Sequence, residues 1–465
     1  MTPRLRFSPS PTGYFHVGSA RSALFNWLEA RRTGGQFILR IEDTDTERND
    51  ETFVLGIHDA MKWLGLDWDE YYRQSERGPL YTAAIERLVS DGKAYFCDCT
   101  RPDVIARTGS EQKGYDRFCS TRGLDAAPGR ALRFRVPEGG STTVVDLIRG
   151  EPEFDHTQIE DFVLARGDGS PLFILANVVD DIDMRITHVV RGEDHLPNTP
   201  KYILLWQALG GADLPVFAHL PMLVNEKRQK LSKRRDPVRL EDYRDEGYTF
   251  QAVRNYLCLL GWAPGDDREF ITVEEMIAEF RLENVNSSPA FFDVKKLRHF
   301  NAHYLREMSV PEFVAAAGPF LEAGPWAPGD FDFDVFDRIA PEVQTRVEVL
   351  SEVPGYIDFL FLAEPQFDEG AFAKHVATDT GKAVLDGVIT AYETCEWESG
   401  DETTGIQGAT WAVGEGLGLN KKKTQFPVRV AVTGRAIGPP LFESLEILGR
   451  DAALARLQAA RDRAG

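Results

Sequence analysis

Residues 5–41 constrain the fold of this chain more than any other stretch. A short apolar start at residues 5–7 runs into RFSPSPTGYFHVGSARSAL at 6–24. Ala20, Ala23, Leu24, Trp27 and Leu28 then recur at i, i+3, i+4, i+7, i+8, the spacing of one helix face, until Gly34-Gly35 stops the helix. Residues 37–41 read as a second strand, which makes a βαβ unit with parallel strands and a crossing helix. Ligands of such sheets sit beyond the carboxyl ends of the strands, where the proline- and glycine-bearing loop falls. Pro9 and Pro11 stiffen that loop and Gly13 lets it turn. Gly18 removes a side chain at the helix start, leaving bare backbone N–H groups and the positive end of the helix for an anion. His16, just before it, can hydrogen-bond a phosphate oxygen whose charge grows during displacement at phosphorus. The same loop also reads as tight turns with a surface histidine.

A second stretch, NEKRQKLSKRRD at 225–236, holds six basic residues between Lys227 and Arg235. The whole chain carries a formal charge of −20, so its global field repels polyanions and any nucleic-acid surface must be a local patch. Lys230 and Lys233, flanking Ser232, could reach from a loop to neutralise a leaving pyrophosphate; a solvated charged loop is the other reading. VVRGEDH at 189–195 reads as the carboxyl end of another parallel strand. Alternation along a strand argues against Glu193, Asp194 and His195 sharing one metal ion.

With 465 residues, 43% of them hydrophobic, the chain has material for several cores, and no period of 20 to 50 residues repeats. No apolar run approaches a membrane span and the start lacks a signal peptide's apolar core, so the expected location is cytoplasmic. Five cysteines are too few and too odd for a disulfide framework, and should be reduced or metal-bound. Cys97, Cys99 and Cys119 could give three thiolates to a tetrahedral zinc, with Tyr115 or a neighbour as fourth ligand, or stay simple thiols. Beyond about residue 240 the pattern turns helical. Phe250, Val253, Leu257 and Leu260 share a face, Thr272 and Glu275 form a capping box, Ser309–Glu312 starts a helix, and 445–457 carries apolar residues towards the end.

His16-Val17-Gly18-Ser19 resembles the HIGH signature, and Lys230-Leu231-Ser232-Lys233-Arg234 the KMSKS signature, of class I aminoacyl-tRNA synthetases. Within that class RFSPSPTG, FILRIEDTD, LANVVDD, ITHVVRGEDH, NYLCLLGW and RVAVTGRAIGPPLFESLEILG are similar to bacterial glutamyl-tRNA synthetases. The resemblance implies an α/β fold: a Rossmann-type parallel-sheet catalytic domain with an inserted acceptor-binding domain, then all-α stem-contact and anticodon-binding domains. The boundaries implied are 1–80 and 177–222 for the catalytic halves, 81–176 for the insertion, 223–305 for the stem-contact domain with the KLSKR loop, and 306–465 for the anticodon region, split near 370. It implies ATP-dependent activation of L-glutamate, with Mg²⁺, and transfer to the terminal adenosine of tRNA(Glu), with tRNA(Gln) a further possible acceptor, by a monomer.

By the same resemblance His16, Gly18, Lys230 and Lys233 are catalytic and bind ATP. Asp194 and His195 sit beside the adenosine, and Arg6, Ser8, Ser10, Glu42, Phe173, Asn177 and Arg191 surround the glutamate. An arginine fork matches a carboxylate and not an amide, and Glu42 suits the substrate ammonium. Structural ion pairs are the plainer reading of both arginines, and a surface salt bridge that of Glu42. The family usually has a tyrosine where this chain has Phe173, and some members have a histidine zinc ligand where it has Thr121. Lys421–Lys423 and Arg429 could contact phosphates or form a solvated face, and Gln344 lies where discrimination between tRNAs would be sought. Helices instead of hairpins after 305 argue against the glutaminyl enzymes, which read the anticodon with β-barrels. A non-enzymatic tRNA-binding protein would be expected to lose the phosphate groups that are present. A nucleotidyl transferase with a small acceptor has no use for the long helical end.

Overall fold

The computed structural model of the chain describes residues 2–45, 47–231, 236, 238–400 and 402–465. It divides into two compact units, Met1–Arg244 with Phe250–Val294, and Asp245–Thr249 with Lys295–Gly465.

The first unit is built on β1 (Arg4–Phe7), β2 (Gln36–Ile41), β3 (Glu70–Arg73), β4 (His188–Gly192) and β5 (Val216–Leu220), in the order β5-β4-β1-β2-β3. All pairings are parallel; Phe7 lies opposite Leu39, Leu5 opposite His188 and Arg191 opposite His219. Progress along the chain runs one way from β1 to β3 and the other way from β4 to β5. The reversal opens a crevice beyond the ends of β1 and β4. Phe37, Ile38, Leu39 and Ile41 are all buried, the two-sided burial expected of a parallel strand.

Helix Val17–Thr33 connects β1 to β2, with His16 at its N-cap and Gly34 ending it at φ 62°, a left-handed turn that suits glycine. Its expected apolar face is buried, and so are Arg21, Asn26 and Glu29. Helices Phe250–Cys258 and Val273–Glu279 also pack on it, so it is less amphipathic than its spacing suggests. Asn26 Nδ2 donates to the Val190 carbonyl at 3.1 Å, and Arg21 donates to the carbonyls of Leu260 and Pro221.

Between β3 and β4 the chain leaves the sheet. Strands Ala94–Cys97, Ala131–Phe134 and Val163–Ala165 form a small antiparallel sheet, and Ser141–Thr143 pairs with Glu153–Asp155. The chain returns through helix Phe173–Asp183. The strand read at 189–195 ends at Gly192, and Glu193–Asn198 turns as a 3-10 helix ahead of Pro200. Further on, Thr272 and Glu275 form the expected capping box, with bonds of 3.2 and 2.8 Å.

The second unit contains no strand among the described residues. Helix Val310–Glu322 begins at Ser309, whose N–H donates to Glu312 at 2.9 Å. One core gathers Phe313, Phe336, Val353 and Ile357; another gathers Val384, Val388, Tyr392, Val428 and Leu457. Gly449, at φ 87°, cuts the expected apolar run into helices Leu441–Leu448 and Arg450–Arg463. Two expectations are corrected here. Arg429 is buried and donates to the Pro439 carbonyl at 2.5 Å, so it is an internal brace and not a phosphate contact. Gln344 is buried as well, its amide donating to the Leu305 and Met308 carbonyls at 2.8 and 2.7 Å, which removes it from any RNA-facing surface. Lys421, Lys422 and Lys423 are exposed. Among the described residues no helix is long and apolar enough to cross a membrane.

Candidate active site

The crevice at the ends of β1 and β4 deepens into a cavity of about 510 Å³, within the range of pockets that enclose a small ligand. Its lining joins residues far apart in sequence. Arg6, Ser8 and Ser10 come from β1 and the loop after it, His16 and Gly18 from the helix start, and Glu42 from the end of β2. Phe173 and Asn177 lie one turn apart on helix Phe173–Asp183, and Arg191, Asp194 and His195 follow along β4 and its 3-10 turn. Lys230 completes the rim. Lys233 lies outside the described residues, as does Ser232.

The two arginines differ. Arg6 is neutralised by Asp181, with Nε 3.2 Å and Nη2 3.2 Å from its carboxylate oxygens, and Arg40 Nη1 reaches the same carboxylate at 2.6 Å. Burial alone would raise Asp181, but Arg6 and Arg40 outweigh it and hold it below the ordinary carboxylate range. Arg191 has no such partner: Nε faces His219 Nε2 at 3.2 Å and Nη2 donates to Thr199 Oγ1 at 2.9 Å. Among the described residues no carboxylate ion-pairs with it. Burial therefore pulls its pKa down to about 10, with Arg6 adding repulsion. The structural ion pair thus accounts for Arg6 and leaves Arg191 in the cavity wall with Asp181 and Glu42 acting on it only at a distance.

Glu42 is buried, not a surface salt bridge. It accepts from Asn177 Nδ2 at 2.7 Å and Arg40 Nη2 at 3.2 Å, and burial pushes it up to about 7 against the pull of Arg40 and Arg6. Ser8 Oγ and Asn177 Oδ1 are buried in the same lining with no hydrogen-bond partner among the described residues. Buried polar atoms left this way are costly unless something binds them. Phe173 stacks on His195, ring centroids 6.0 Å apart.

At the other end His16 lies over the helix start, its Nδ1 accepting from Ser19 N–H at 3.2 Å, while Val17 N–H donates to the Val238 carbonyl at 2.9 Å. The backbone there is less bare than the sequence suggests. A Cβ on Gly18 would come within 3.1 Å of His16 Nδ1, so this glycine makes room for the imidazole. Lys230 Nζ pairs with Asp194 Oδ2 at 2.9 Å. Against its burial, Lys230 and His195 hold Asp194 below the usual carboxylate range, and burial pulls His195 down to about 4, leaving it neutral.

In the small antiparallel region the Sγ atoms of Cys97, Cys99 and Cys119 all lie within 4.8 Å of one another. Thiolates sharing a tetrahedral zinc sit roughly 3.8 Å apart, so the set fits that ion. Cys97 Sγ donates to Tyr115 Oη at 3.3 Å, and the same oxygen accepts from Cys119 N–H at 2.8 Å. Burial pushes Cys99 up to about 11; it acts the same way on Cys97, but the hydrogen bond with Tyr115, together with those of the Cys99 backbone and Arg133, brings that thiol below its usual value.

Sequence reasoning missed the ionic floor of the pocket. Asp180 accepts from Gln74 Nε2 at 2.9 Å, Arg77 Nε at 2.7 Å and Tyr81, all beneath the cavity-lining helix, and Arg40 and Asp181 share that floor. Two adjacent aspartates inside the apolar run LANVVDD were the available signal, since buried carboxylates require donors.

Residues 3–299 match the family described as tRNA synthetases class I (E and Q), catalytic domain, and residues 312–461 match the family described as anticodon binding domain. The parallel sheet and its cavity are those of a class I synthetase catalytic domain. The chain is 56% identical to a glutamate–tRNA ligase of Salinispora arenicola over 100% of both chains, and 56% identical to one of Frankia casuarinae over 99% of this chain and 98% of that one. The crystal structure of a glutamate tRNA ligase from Elizabethkingia meningosepticum, in complex with its amino acid, matches with a TM-score of 0.86 at 29% identity over 100% of both chains. The chain belongs to the glutamate–tRNA ligase family.

Proposed function

We propose that this protein activates L-glutamate with Mg²⁺-bound ATP and esterifies the 3′-terminal adenosine of tRNA(Glu), working as a cytoplasmic monomer. The observation that carries the reading is Arg191, a half-buried cation with no ion-pairing carboxylate among the described residues, in the same cavity as His16 and Lys230. The glutamate α-carboxylate attacks the α-phosphorus in line; a new P–O bond forms and pyrophosphate leaves. A ribose hydroxyl then attacks the adenylate's carbonyl carbon and AMP departs. No protein nucleophile is needed, and catalysis rests on placement and charge. His16 donates to the α-phosphate as it becomes five-coordinate, while Lys230, released from Asp194, and Lys233 take up the charge of the leaving pyrophosphate. Asp194 and His195 border the adenosine. Arg191 selects the carboxylate, with Arg6, held by Asp181, beside it, and Glu42 takes the ammonium with Ser8, Ser10, Asn177 and Phe173 around it.

Residues 1–80 and 177–222 would serve as the catalytic halves, 81–176 would hold the acceptor end, 223–305 the stem, and 306–465 the anticodon. When bound, zinc would lock the end of strand Ala94–Cys97 to the segments that carry Cys99 and Cys119, with Tyr115 in the fourth place; elemental analysis should find about one zinc per chain. Aminoacylation of pure tRNA(Glu) and tRNA(Gln), each with glutamate and glutamine, tests the whole. Glutamate on tRNA(Glu) is expected, glutamate on tRNA(Gln) would widen the acceptor range, and charging with glutamine alone would overturn the reading.

A further inference from the structure

Arg191 is held by a buried chain of hydrogen bonds that begins outside the parallel sheet. His219, its register partner on β5, is fully buried. His219 Nε2 lies 3.2 Å from Arg191 Nε and 3.0 Å from Thr199 Oγ1, and its Nδ1 lies 2.5 Å from Asp146 Oδ2. An arginine Nε–H can only donate, so Nε2 must accept, and the ring proton resides on Nδ1, facing the carboxylate. Asp146 is fixed in its turn. The N–H groups of Ile148 and Arg149 reach its Oδ1 at 3.0 and 2.9 Å, and His219 N–H reaches Oδ2 at 3.1 Å. So many donors require the ionised, acceptor-only carboxylate.

The turn at 146–150 follows the strand Ser141–Thr143 and is closed by backbone bonds between Asp146 and Gly150 of 2.8 and 3.1 Å. A second anchor sits three residues on, where Arg149 pairs with Glu193 at 2.5 Å and Glu193 accepts Met222 N–H at 2.7 Å. The same turn thus grips both the strand beside Arg191 and the segment just after it.

We propose that Asp146 and His219 are positioning residues of the amino-acid site: by fixing the imidazole tautomer that accepts from Arg191 Nε–H, they hold the guanidinium with its Nη1 group free for the substrate carboxylate. Nothing among the described residues bonds that Nη1 group. The inference rests on Arg191 being the carboxylate's partner. It also means that the amino-acid pocket depends on a turn lying outside the five-stranded sheet.

Glutamate-dependent ATP–pyrophosphate exchange by the full chain, with tRNA(Glu) present, tests it. H219L removes the acceptor, D146N puts an amide donor among N–H groups and upsets the tautomer, and H219Q returns a carbonyl oxygen near the place of Nε2. Losing a hydrogen bond to a charged group should raise KM for glutamate about tenfold or more in H219L and D146N, with KM for ATP within about twofold, and H219Q should recover most of the loss. In an R191M background D146N should add nothing, because two changes acting through one group are not additive. The proposal is overturned if D146N and H219L leave glutamate KM within about twofold, if KM for ATP rises equally, or if D146N and R191M multiply. If R191M itself leaves glutamate KM unchanged, the reading of Arg191 as carboxylate partner fails first, and the positioning role falls with it.

Discussion

The two walls of the cavity are made on different terms. On the side assigned to the amino acid, Arg6, Arg40, Glu42 and Asp181 are buried and bonded to one another. On the side assigned to the triphosphate, Lys230 and Asp194 form a pair whose side chains are 59% and 51% exposed. Telling a carboxylate from an amide by charge requires a dry wall, where an unmatched partner is costly. Stabilising a leaving group instead requires a cation that can change partners. An exposed pair contributes about 0–1 kcal/mol, so Lys230 can exchange Asp194 for a phosphate at little cost. On the proposed function, selection and chemistry would share one pocket because the fold gives its two walls different solvation.

The largest expected effect lies in the dry wall. Asp181→Asn leaves Arg6 and Arg40 short of a buried counter-charge and should lose about 3–5 kcal/mol of stability of the first unit in urea unfolding. A loss under about 1 kcal/mol would mean that water reaches this floor and that the contrast between the walls is false. On the wet side, His16→Ala should lower ATP–pyrophosphate exchange by about 10²–10³-fold while the unfolding midpoint stays put, and a near-normal rate would refute its role at phosphorus.

A smaller effect comes from pH. Burial raises Glu42 to about 7, so the free enzyme holds it increasingly protonated below that value and ionised above. The ammonium pairs with the ionised form, so kcat/KM for glutamate should climb as pH rises towards about 7 and level off beyond, losing about tenfold per unit on the acid side. A flat profile between pH 6 and about 8 would remove Glu42 from ammonium recognition. Smallest is Phe173→Tyr, which restores the family's hydroxyl. It should leave glutamate KM unchanged or lower it by a few-fold, a bond of about 0.5–1.5 kcal/mol, and a clear rise would place Phe173 outside the pocket.

Much of this was legible in the chain. Periodicity gave the helix after His16, the capping box at Thr272 and the helical character of the second unit, because these are local patterns. The resemblance brought His16, Glu42, Arg191 and Lys230 to one cavity, and the structure gathers them there. What escaped was long-range pairing. Arg6 meets Asp181 across 175 residues, Arg40 meets it across 141, and His219 meets Asp146 across 73, with no local pattern to announce any of them. Arg429 and Gln344 escaped for a related reason: a polar residue on a helix looks solvated until a neighbouring carbonyl is found to claim it.

The reversal of strand order between β1 and β4 also bears on biosynthesis. Leu5 pairs with Phe37 on one side and with His188 on the other, so β1 gains β2 early but lacks its second neighbour until β4 has been made. Contacts of such separation form late and slowly. A chain arrested before β4 would carry His16 and Glu42 yet have no place for an amino acid, so a half-made copy could not compete with finished enzyme for glutamate.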